Sequence, residues 1–315
     1  MNAAGAEHPN APLWHPMGPD LLVHADNLEV MRRLPDGSMR LIYLDPPFNT
    51  GRLQQRRTTS HVRRADTGAD TSAHTSAHTD ADADADADEN RGWKGFGGTS
   101  YVRTVEALTS YDDRFADYWA FLGPRLEESW RLLDERGTLY LHLDYREAHY
   151  AKVALDALFG RHCFLNEIIW AYDYGAKSRK RWPTKHDTIL VYVKNPGRYL
   201  FDSSEVDREP YMAPGLVTPE KAARGKLPTD VWWHTIVTTT GREKTGYPTQ
   251  KPLGVLRRIV QASSAEGDWV LDPFAGSGTM AAAAQALGRR SISIDASADA
   301  VAVIERRLGL IAQPA

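Results

Sequence analysis

The residues that could do chemistry sit at two places where an apolar run ends in an acid and a proline. The first is Leu41-Ile42-Tyr43-Leu44-Asp45-Pro46-Pro47-Phe48. Four large apolar residues without polar alternation suit a strand buried on both faces of a parallel sheet, with Asp45 at its carboxyl end. Pro46 and Pro47 fix their own φ at about −65° and bar the preceding residue from helix, so the corner holds Asp45 and Phe48 in one geometry. Taken alone, these residues read either as a reactive acid beside an aromatic or as a stiff turn that follows a strand.

The second place begins at Trp269-Val270-Leu271, a short buried strand, and continues as Asp272-Pro273-Phe274-Ala275-Gly276-Ser277-Gly278-Thr279. An Ala-rich helix follows as far as Leu287, and the run Ser291 to Ile294 makes a second strand that ends in Asp295. Strand, glycine turn, helix, strand and acid form the layout of a nucleoside-binding unit, in which glycines let the backbone approach the ligand and the acid bonds ribose hydroxyls. Gly276, Gly278 and Ala281 also satisfy the relaxed dinucleotide fingerprint, with Asp295 about 20 residues on. Glycine spacing alone leaves NAD and S-adenosylmethionine both open.

The elements that must position these groups follow from periodicity. Leu21 to Asn27 predicts a strand and its exit, and Leu28, Met31 and Leu34 fall at helical spacing before the turn at Pro35-Asp36-Gly37. Phe115, Tyr118, Trp119, Leu122, Leu126, Trp130 and Leu133 predict a helix with a kink or restart at Gly123-Pro124, stopped by Gly137. Thr138 to His142 predicts a strand, Ala148 to Leu158 a helix ended by Gly160, and Glu167 to Trp170 and Thr188 to Val193 two more strands. Helix and strand alternate throughout, which predicts a layered α/β domain.

Charge needs to be read by region. The chain has 38 Lys and Arg against 41 Asp and Glu, a formal charge of −3. Eight of the acids (Asp66, Asp70, Asp80, Asp82, Asp84, Asp86, Asp88 and Glu89) lie in one tract; without them 33 acids remain and the body carries +5. A mildly basic body permits contact with DNA. Within it, Lys177-Ser178-Arg179-Lys180-Arg181-Trp182 reads as a solvated loop or, beside a nucleotide-handling site, as a set of phosphate contacts. No apolar stretch approaches the ~20 residues of a membrane span. Met1 to Asp20 has neither a basic n-region nor an apolar h-region, so a cytoplasmic location is expected. The single cysteine, Cys163, excludes an internal disulfide and a multi-cysteine zinc site, and no metal is expected.

The D-P-P-F corner resembles the D-P-P-[YF] catalytic loop of amino-methylating DNA methyltransferases. The run D-P-F-A-G-S-G-T, preceded by Thr249-Gln250-Lys251-Pro252 and followed by Asp295, is similar to their S-adenosylmethionine site. The resemblance covers roughly residues 21 to 56 and 110 to 308, and its order is that of the beta-type group, with the catalytic loop first, the target-recognition region next and the cofactor strand last. It implies a doubly wound, mostly parallel methyltransferase sheet with a small target-recognition insertion.

It further implies site-specific methylation of the exocyclic N6 of a flipped adenine, with Asp45, Pro46, Pro47 and Phe48 catalytic. Asp272, Phe274, Ala275, Gly276 and Gly278 would cradle the cofactor, Asp295 would take its ribose hydroxyls, and Asp26 would lie by its adenine. Lys251 and Thr249 would face its methionine carboxylate, while Lys177, Arg179, Lys180 and Arg181 would contact DNA. The implied partner is double-stranded DNA, with a cognate restriction endonuclease and a homodimer as further candidates. Cytosine N4 is the rival target, although that subgroup usually shows S-P-P. A nicotinamide oxidoreductase or a catalytically idle DNA-binding protein are the readings from other classes. Cys163, without a Pro-Cys corner, is a small packed residue rather than the nucleophile of a cytosine-C5 enzyme.

The expected organisation is a flexible lead-in over 1–20, catalytic parts over 21–56 and 99–171, and a disordered low-complexity insert over 57–98. A target-recognition region over 172–246, whose basic loop and Trp232-Trp233-His234 lie outside the alternating sheet pattern, and a cofactor-binding part over 247–310 complete it.

Overall fold

The computed structural model describes residues 13–50, 52–63, 74–76, 93–94, 100–113, 115, 117–175, 177–238 and 241–314. In chain order the strands and helices are β1 (Leu21–His24), α1 (Asn27–Arg32), β2 (Met39–Leu44), β3 (Arg52–Arg63), β4 (His74–Ser76), β5 (Trp93–Lys94), β6 (Ser100–Asp113), α2 (Tyr118–Leu132), β7 (Leu133–Leu143) and α3 (Ala148–Phe159). They continue with β8 (Phe164–Ala171), β9 (His186–Val193), α4 (Pro219–Arg224), β10 (Val231–Trp233), α5 (Leu253–Ser263), β11 (Trp269–Asp272), α6 (Thr279–Ala286), β12 (Arg290–Asp295), α7 (Ala298–Leu308) and β13 (Ala312–Pro314).

One nine-stranded sheet runs in the order β10-β8-β9-β7-β2-β11-β12-β1-β13. Its pairings are parallel except around β9, which is antiparallel to both β7 and β8. Successive residues of β2 point to opposite faces, and both faces are covered. Ile42 and Leu44 join Leu122, Leu126 and Leu155 from α2 and α3, while Leu41 and Tyr43 join Val255, Ile259 and Met280 from α5 and α6. Double coverage is why the strand reads as an unbroken apolar run. From β2 the chain crosses by α2 to β7 on one side, and from β11 it crosses by α6 to β12 on the other. The β2/β11 junction is therefore the switch point of a doubly wound sheet, where carboxyl-end loops part and leave a crevice.

Several expectations change. Residues 13–20 belong to the fold rather than to a flexible lead-in, because Trp14 packs edge-on against Trp269 at 5.5 Å and the Trp269 indole donates to the Pro16 carbonyl at 3.0 Å. The expected disordered insert is corrected at residues 57–63. There β3 pairs antiparallel with β6, and β4 and β5 join them in a separate four-stranded sheet. The β3–β6 ladder joins partners from Arg63 and Tyr101 out to Arg52 and Asp113, far apart along the chain and each strand holding β-branched residues, a pairing to which local apolar periodicity is blind. The rest of that insert, and residues 1–12, lie outside the described residues. Helix α2 runs unbroken through Pro124, and strand geometry begins at Leu133, before Gly137.

The expected recognition region over 172–246 is partly sheet. β9 lies inside the main sheet and β10 forms its edge, because Val231, Trp232 and Trp233 pair with Ile169, Trp170 and Ala171. Trp232 is buried, with its indole N–H on the Thr229 carbonyl, so only Trp233 of that aromatic pair faces solvent.

Leu271 sits on the strand at the switch point with no exposed surface. Leu271→Ala is expected to lower stability by about 2–5 kcal/mol, the usual range for a core leucine that leaves a cavity. A urea unfolding midpoint close to that of the parent would show that the β2/β11 junction tolerates a void.

Candidate active site

A cavity of about 480 Å³ opens at the carboxyl ends of β1, β2, β11 and β12. Asp45, Pro46, Pro47 and Phe48 form one wall, and Asp272, Phe274, Ala275, Gly276 and Asp295 form another, with Asp26, Thr249 and Lys251 between them. The structure thus brings twelve of the thirteen expected catalytic and cofactor residues to one space. Gly278 stands apart from the lining. It caps α6 with φ +71° in the left-handed region, and a Cβ there would come 2.8 Å from Ile304 Cγ1, so it serves packing between α6 and α7.

The corner is built as an acid held by a base. Lys251 Nζ donates to Asp45 Oδ2 at 2.6 Å, and the two side chains are only 11% and 15% exposed. The same ammonium lies 4.9 Å from the centre of the Phe48 ring, a cation–π contact. Lys251, expected at the methionine end of a cofactor, therefore also orients Asp45. Asp45 Oδ1 is buried without a hydrogen-bond partner among the described residues. A buried carboxylate oxygen left unsatisfied is costly, and it is a ready acceptor for a donor brought in by a ligand. Beyond Phe48, Asn49 adopts φ 53° and its amide donates to Glu147 Oε1 at 2.9 Å, which turns the chain away from the sheet.

On the opposite wall, Asp272 Oδ1 accepts the Phe274 N–H at 3.1 Å, while Asp295 accepts the Gly276 N–H at 2.8 Å and the Ser297 N–H at 2.8 Å. Gly276 takes φ +51° and lies so close to Tyr247 that a Cβ would come 3.2 Å from the ring. Burial pushes the carboxyls of Asp272 and Asp295 above the usual carboxylate range, Asp272 strongly; the charge of Asp45 adds to the shift at Asp272, and backbone N–H groups oppose it at both.

Other residues of the site escape a reading of the sequence. Asp26 caps α1 through the Leu28 and Glu29 N–H groups and binds Arg125 at 2.7 Å. Arg125 also donates to Asn27 Oδ1 at 2.5 Å and lies 4.0 Å over the Phe121 ring, and Asn27 Nδ2 donates to the Pro273 carbonyl at 2.6 Å. This network ties the first strand's exit to the glycine turn. The signal in the sequence was an arginine on the apolar stripe of α2, in step with Tyr118, Leu122, Ser129 and Leu132. Behind Phe48, Tyr43 Oη meets His142 Nδ1 at 2.8 Å, His142 Nε2 meets Asp187 Oδ2 at 3.2 Å, and Tyr172 donates to Asp187 Oδ1 at 3.0 Å.

Lys177, Arg179, Lys180 and Arg181 do not line the cavity. They are exposed on the loop between β8 and β9, which leaves the sheet at the same edge as Asp45 because β8 runs in the direction of β2. Among the described residues no cluster of His, Cys, Asp and Glu could hold a metal ion, and no helix is long and apolar enough to cross a membrane. Cys163 is buried, as a packed residue should be.

The profile of a family described as DNA methylase, N6_N4_Mtase, matches residues 39–306. The chain is 32% identical over 196 residues to Type II methyltransferase M.HpaI of Haemophilus parainfluenzae, a match covering 62% of this chain and 60% of that protein. It is 28% identical over 295 residues to DNA adenine methyltransferase YhdJ of Escherichia coli, covering 91% of this chain and 82% of that one. In fold it is similar to the M1.HpyAVI–SAM complex, with a TM-score of 0.54 at 18% identity over 92% of this chain and 99% of the other. It is also similar to PvuII DNA methyltransferase, cytosine-N4-specific, with a TM-score of 0.56 at 12% identity over 91% and 85%.

The strained acid at Asp272 yields a prediction with a defined sign. In the unfolded chain it titrates near the ordinary value of 3.8, whereas the fold holds its proton more tightly. As pH rises above that ordinary value the unfolded state releases the proton first, so this residue's contribution to stability falls. Asp272→Asn should therefore unfold at a higher temperature than the parent in the absence of ligand, by a margin that widens from about pH 4 to neutral and reaches on the order of 2–4 °C. A margin independent of pH, followed by scanning calorimetry, would show that Asp272 ionises normally.

Proposed function

Because the chain belongs to the DNA methylase family whose profile spans residues 39–306, we propose that it methylates the exocyclic N6 of an adenine turned out of duplex DNA, with S-adenosylmethionine as the methyl donor. The observation that carries this reading is Asp45, whose Oδ2 is fixed by Lys251 at 2.6 Å while its buried Oδ1 has no partner among the described residues. Family membership sets aside the nicotinamide reading of the glycine turn, which leaves the D-P-P-F corner without a task.

An adenine amino nitrogen is a poor nucleophile because its lone pair is delocalised into the ring. Asp45 Oδ1 and the Pro46 carbonyl accept its two N–H bonds, favouring a pyramidal nitrogen with the lone pair directed into the cavity. Phe48 stacks on the base, and Lys251 keeps the acid from rotating. Alignment of two bound reactants is the main lever, since proximity and orientation are worth about 7–11 kcal/mol.

The residues present fit the donor. The cavity of about 480 Å³ lies within the ~300–1,000 Å³ range of ligand sites, and its acidic side chains outnumber its basic ones, so that a bound sulfonium would favour the ionised form of Asp272 and Asp295. When bound, S-adenosylmethionine supplies a methyl group on positively charged sulfur. Asp295 retains lone pairs for ribose hydroxyls after accepting the Gly276 and Ser297 N–H groups. Phe274, Ala275 and Gly276 form the floor beside Asp272, with Asp26 at the adenine end. Thr249 and the remaining donors of Lys251 face the methionine carboxylate.

Outside the cavity, Lys177, Arg179, Lys180 and Arg181 hold phosphates, and the loop segments of 172–246 that lie outside the sheet read the site. A companion endonuclease and self-association rest on the resemblance alone. The same geometry could grip a cytosine amino group, and the acid in place of serine favours adenine.

Two outcomes check this reading. Asp45→Ala should bind S-adenosylmethionine about as well as the parent yet transfer methyl at least about a hundredfold more slowly in a single turnover, a loss on the order of 3 kcal/mol of transition-state stabilisation. In Asp272→Ala cofactor affinity should fail first. Near-parental turnover by Asp45→Ala on adenine-containing duplex would leave the corner as a mere turn. Replacing Arg179, Lys180 and Arg181 together by Ala should weaken binding to all duplexes alike and reduce the slope of log affinity against log salt by roughly 2–3. An unchanged slope would remove these residues from the phosphate backbone.

A further inference from the structure

The loop between β8 and β9 carries Trp182, which is 94% exposed, against 72% for Trp233 at the sheet edge. Phosphate contact gives no reason for an indole in water, since a tryptophan gains its energy from burial and stacking. Its neighbours Arg179, Lys180 and Arg181 are cations suited to a polyanion, and Pro183 stiffens the backbone immediately after it.

The loop is shaped in advance. Tyr172 N–H donates to the Lys185 carbonyl at 3.0 Å, closing its base, and Lys185 Nζ reaches back to the Gly175 carbonyl at 3.1 Å. Ser178 Oγ accepts the N–H groups of Lys180 and Arg181, each at 3.2 Å. The loop is also tied to the catalytic corner. At its base Tyr172 donates to Asp187, which holds His142, and the His142 ring lies 5.9 Å from that of Phe48. Near its tip, the Arg181 guanidinium lies 5.9 Å from the ring of Tyr145, just beyond the end of β7.

β8 is three strands from β2, which at about 4.8 Å per strand sets the base of the loop roughly 14 Å from the Asp45 strand. That distance is comparable with the ~12 Å width of the major groove. One duplex can therefore hand a base to Phe48 and meet Trp182 at the same time.

We propose that Trp182 is the wedge that enters the base stack when the target base turns out, filling the gap while the flanking cations hold the phosphates. This rests on the reading of the chain as an enzyme acting on a base flipped from duplex DNA. Extrusion sacrifices stacking between the neighbouring base pairs, and an inserted indole restores part of it. The buried link through Asp187 and His142 ties the base of the loop that carries the wedge to the stacking ring Phe48.

The test uses the full-length protein and a duplex carrying the site found by base-modification sequencing. For the fluorescence measurement alone the target adenine is replaced by 2-aminopurine, which brightens when unstacked, while methylation is followed on the duplex that keeps its adenine. Trp182→Ala should keep the parent's cofactor affinity, which shows that it folds, and should bind the duplex within about threefold of the parent. It should lose most of the fluorescence rise and at least tenfold in single-turnover methylation of paired duplex. Placing the target adenine opposite an abasic site should restore its rate to within about threefold of the parent on the same duplex, and Trp182→Phe should fall between parent and Ala on paired duplex. A full fluorescence rise in Trp182→Ala, or an equal loss of rate on paired and abasic duplexes, would overturn the wedge. A parent that methylates no adenine would instead sink the underlying reading.

Discussion

The site depends on the parallel pairing of β2 with β11. Leu41 and Ile42 lie beside Val270 and Leu271, and this register sets Asp45 and Asp272 a few residues further on at the same edge of the sheet. The partners come from opposite ends of the chain, so closing this pair is a large entropic step, and apolar burial on both faces offsets it. Crossovers leave the two strands in opposite directions on opposite faces. The crevice between them cannot be filled by either connection, and it remains open for ligands.

On that foundation, the ion pair between Lys251 and Asp45 decides what the crevice can do. The ammonium, 2.6 Å from Oδ2, fixes the Asp45 side chain in one direction and leaves Oδ1 as its open acceptor. The lysine also lies over Phe48, so aromatic ring, acceptor and cation are held together as one unit. The cavity concentrates unsatisfied polarity and like charge, including the buried acid Asp272, and that cost is tolerated where a ligand relieves it.

Around this centre the structure braces the parts that must not move. Asp26, Arg125, Asn27 and the Pro273 carbonyl connect the first strand's exit to the glycine turn. Tyr43, His142, Asp187 and Tyr172 connect the underside of the corner to the basic loop. Each network is centred on buried polar groups with their partners in place, Asn27 and Arg125 in the first and His142 and Asp187 in the second, the condition under which such groups rigidify a core. The first braces the wall that holds Asp272 and Gly276, and the second braces the wall that holds Asp45 and Phe48.

The residues that line the candidate site were legible in the sequence because each of their segments is local. An apolar run ending in Asp-Pro-Pro-Phe, a glycine turn after a strand and an acid at the next strand's end each carry their meaning within about ten residues. Alternation of strand and helix then determined the fold class and the shared edge. Tertiary structure alone decided what depends on contact between distant segments. It paired Lys251 with Asp45, placed Arg125 and His142 behind the site, assigned Gly278 to helix packing, docked Trp14 on Trp269, and enlisted β10 in the sheet although the composition around it reads as a separate insertion. It also paired Arg52–Arg63 with Ser100–Asp113. The physical reason is the same in each case: an ion pair, a buried polar bond or an edge-strand ladder joins residues whose separation along the chain leaves no periodic trace, whereas turns and buried strands are written by the neighbours that form them.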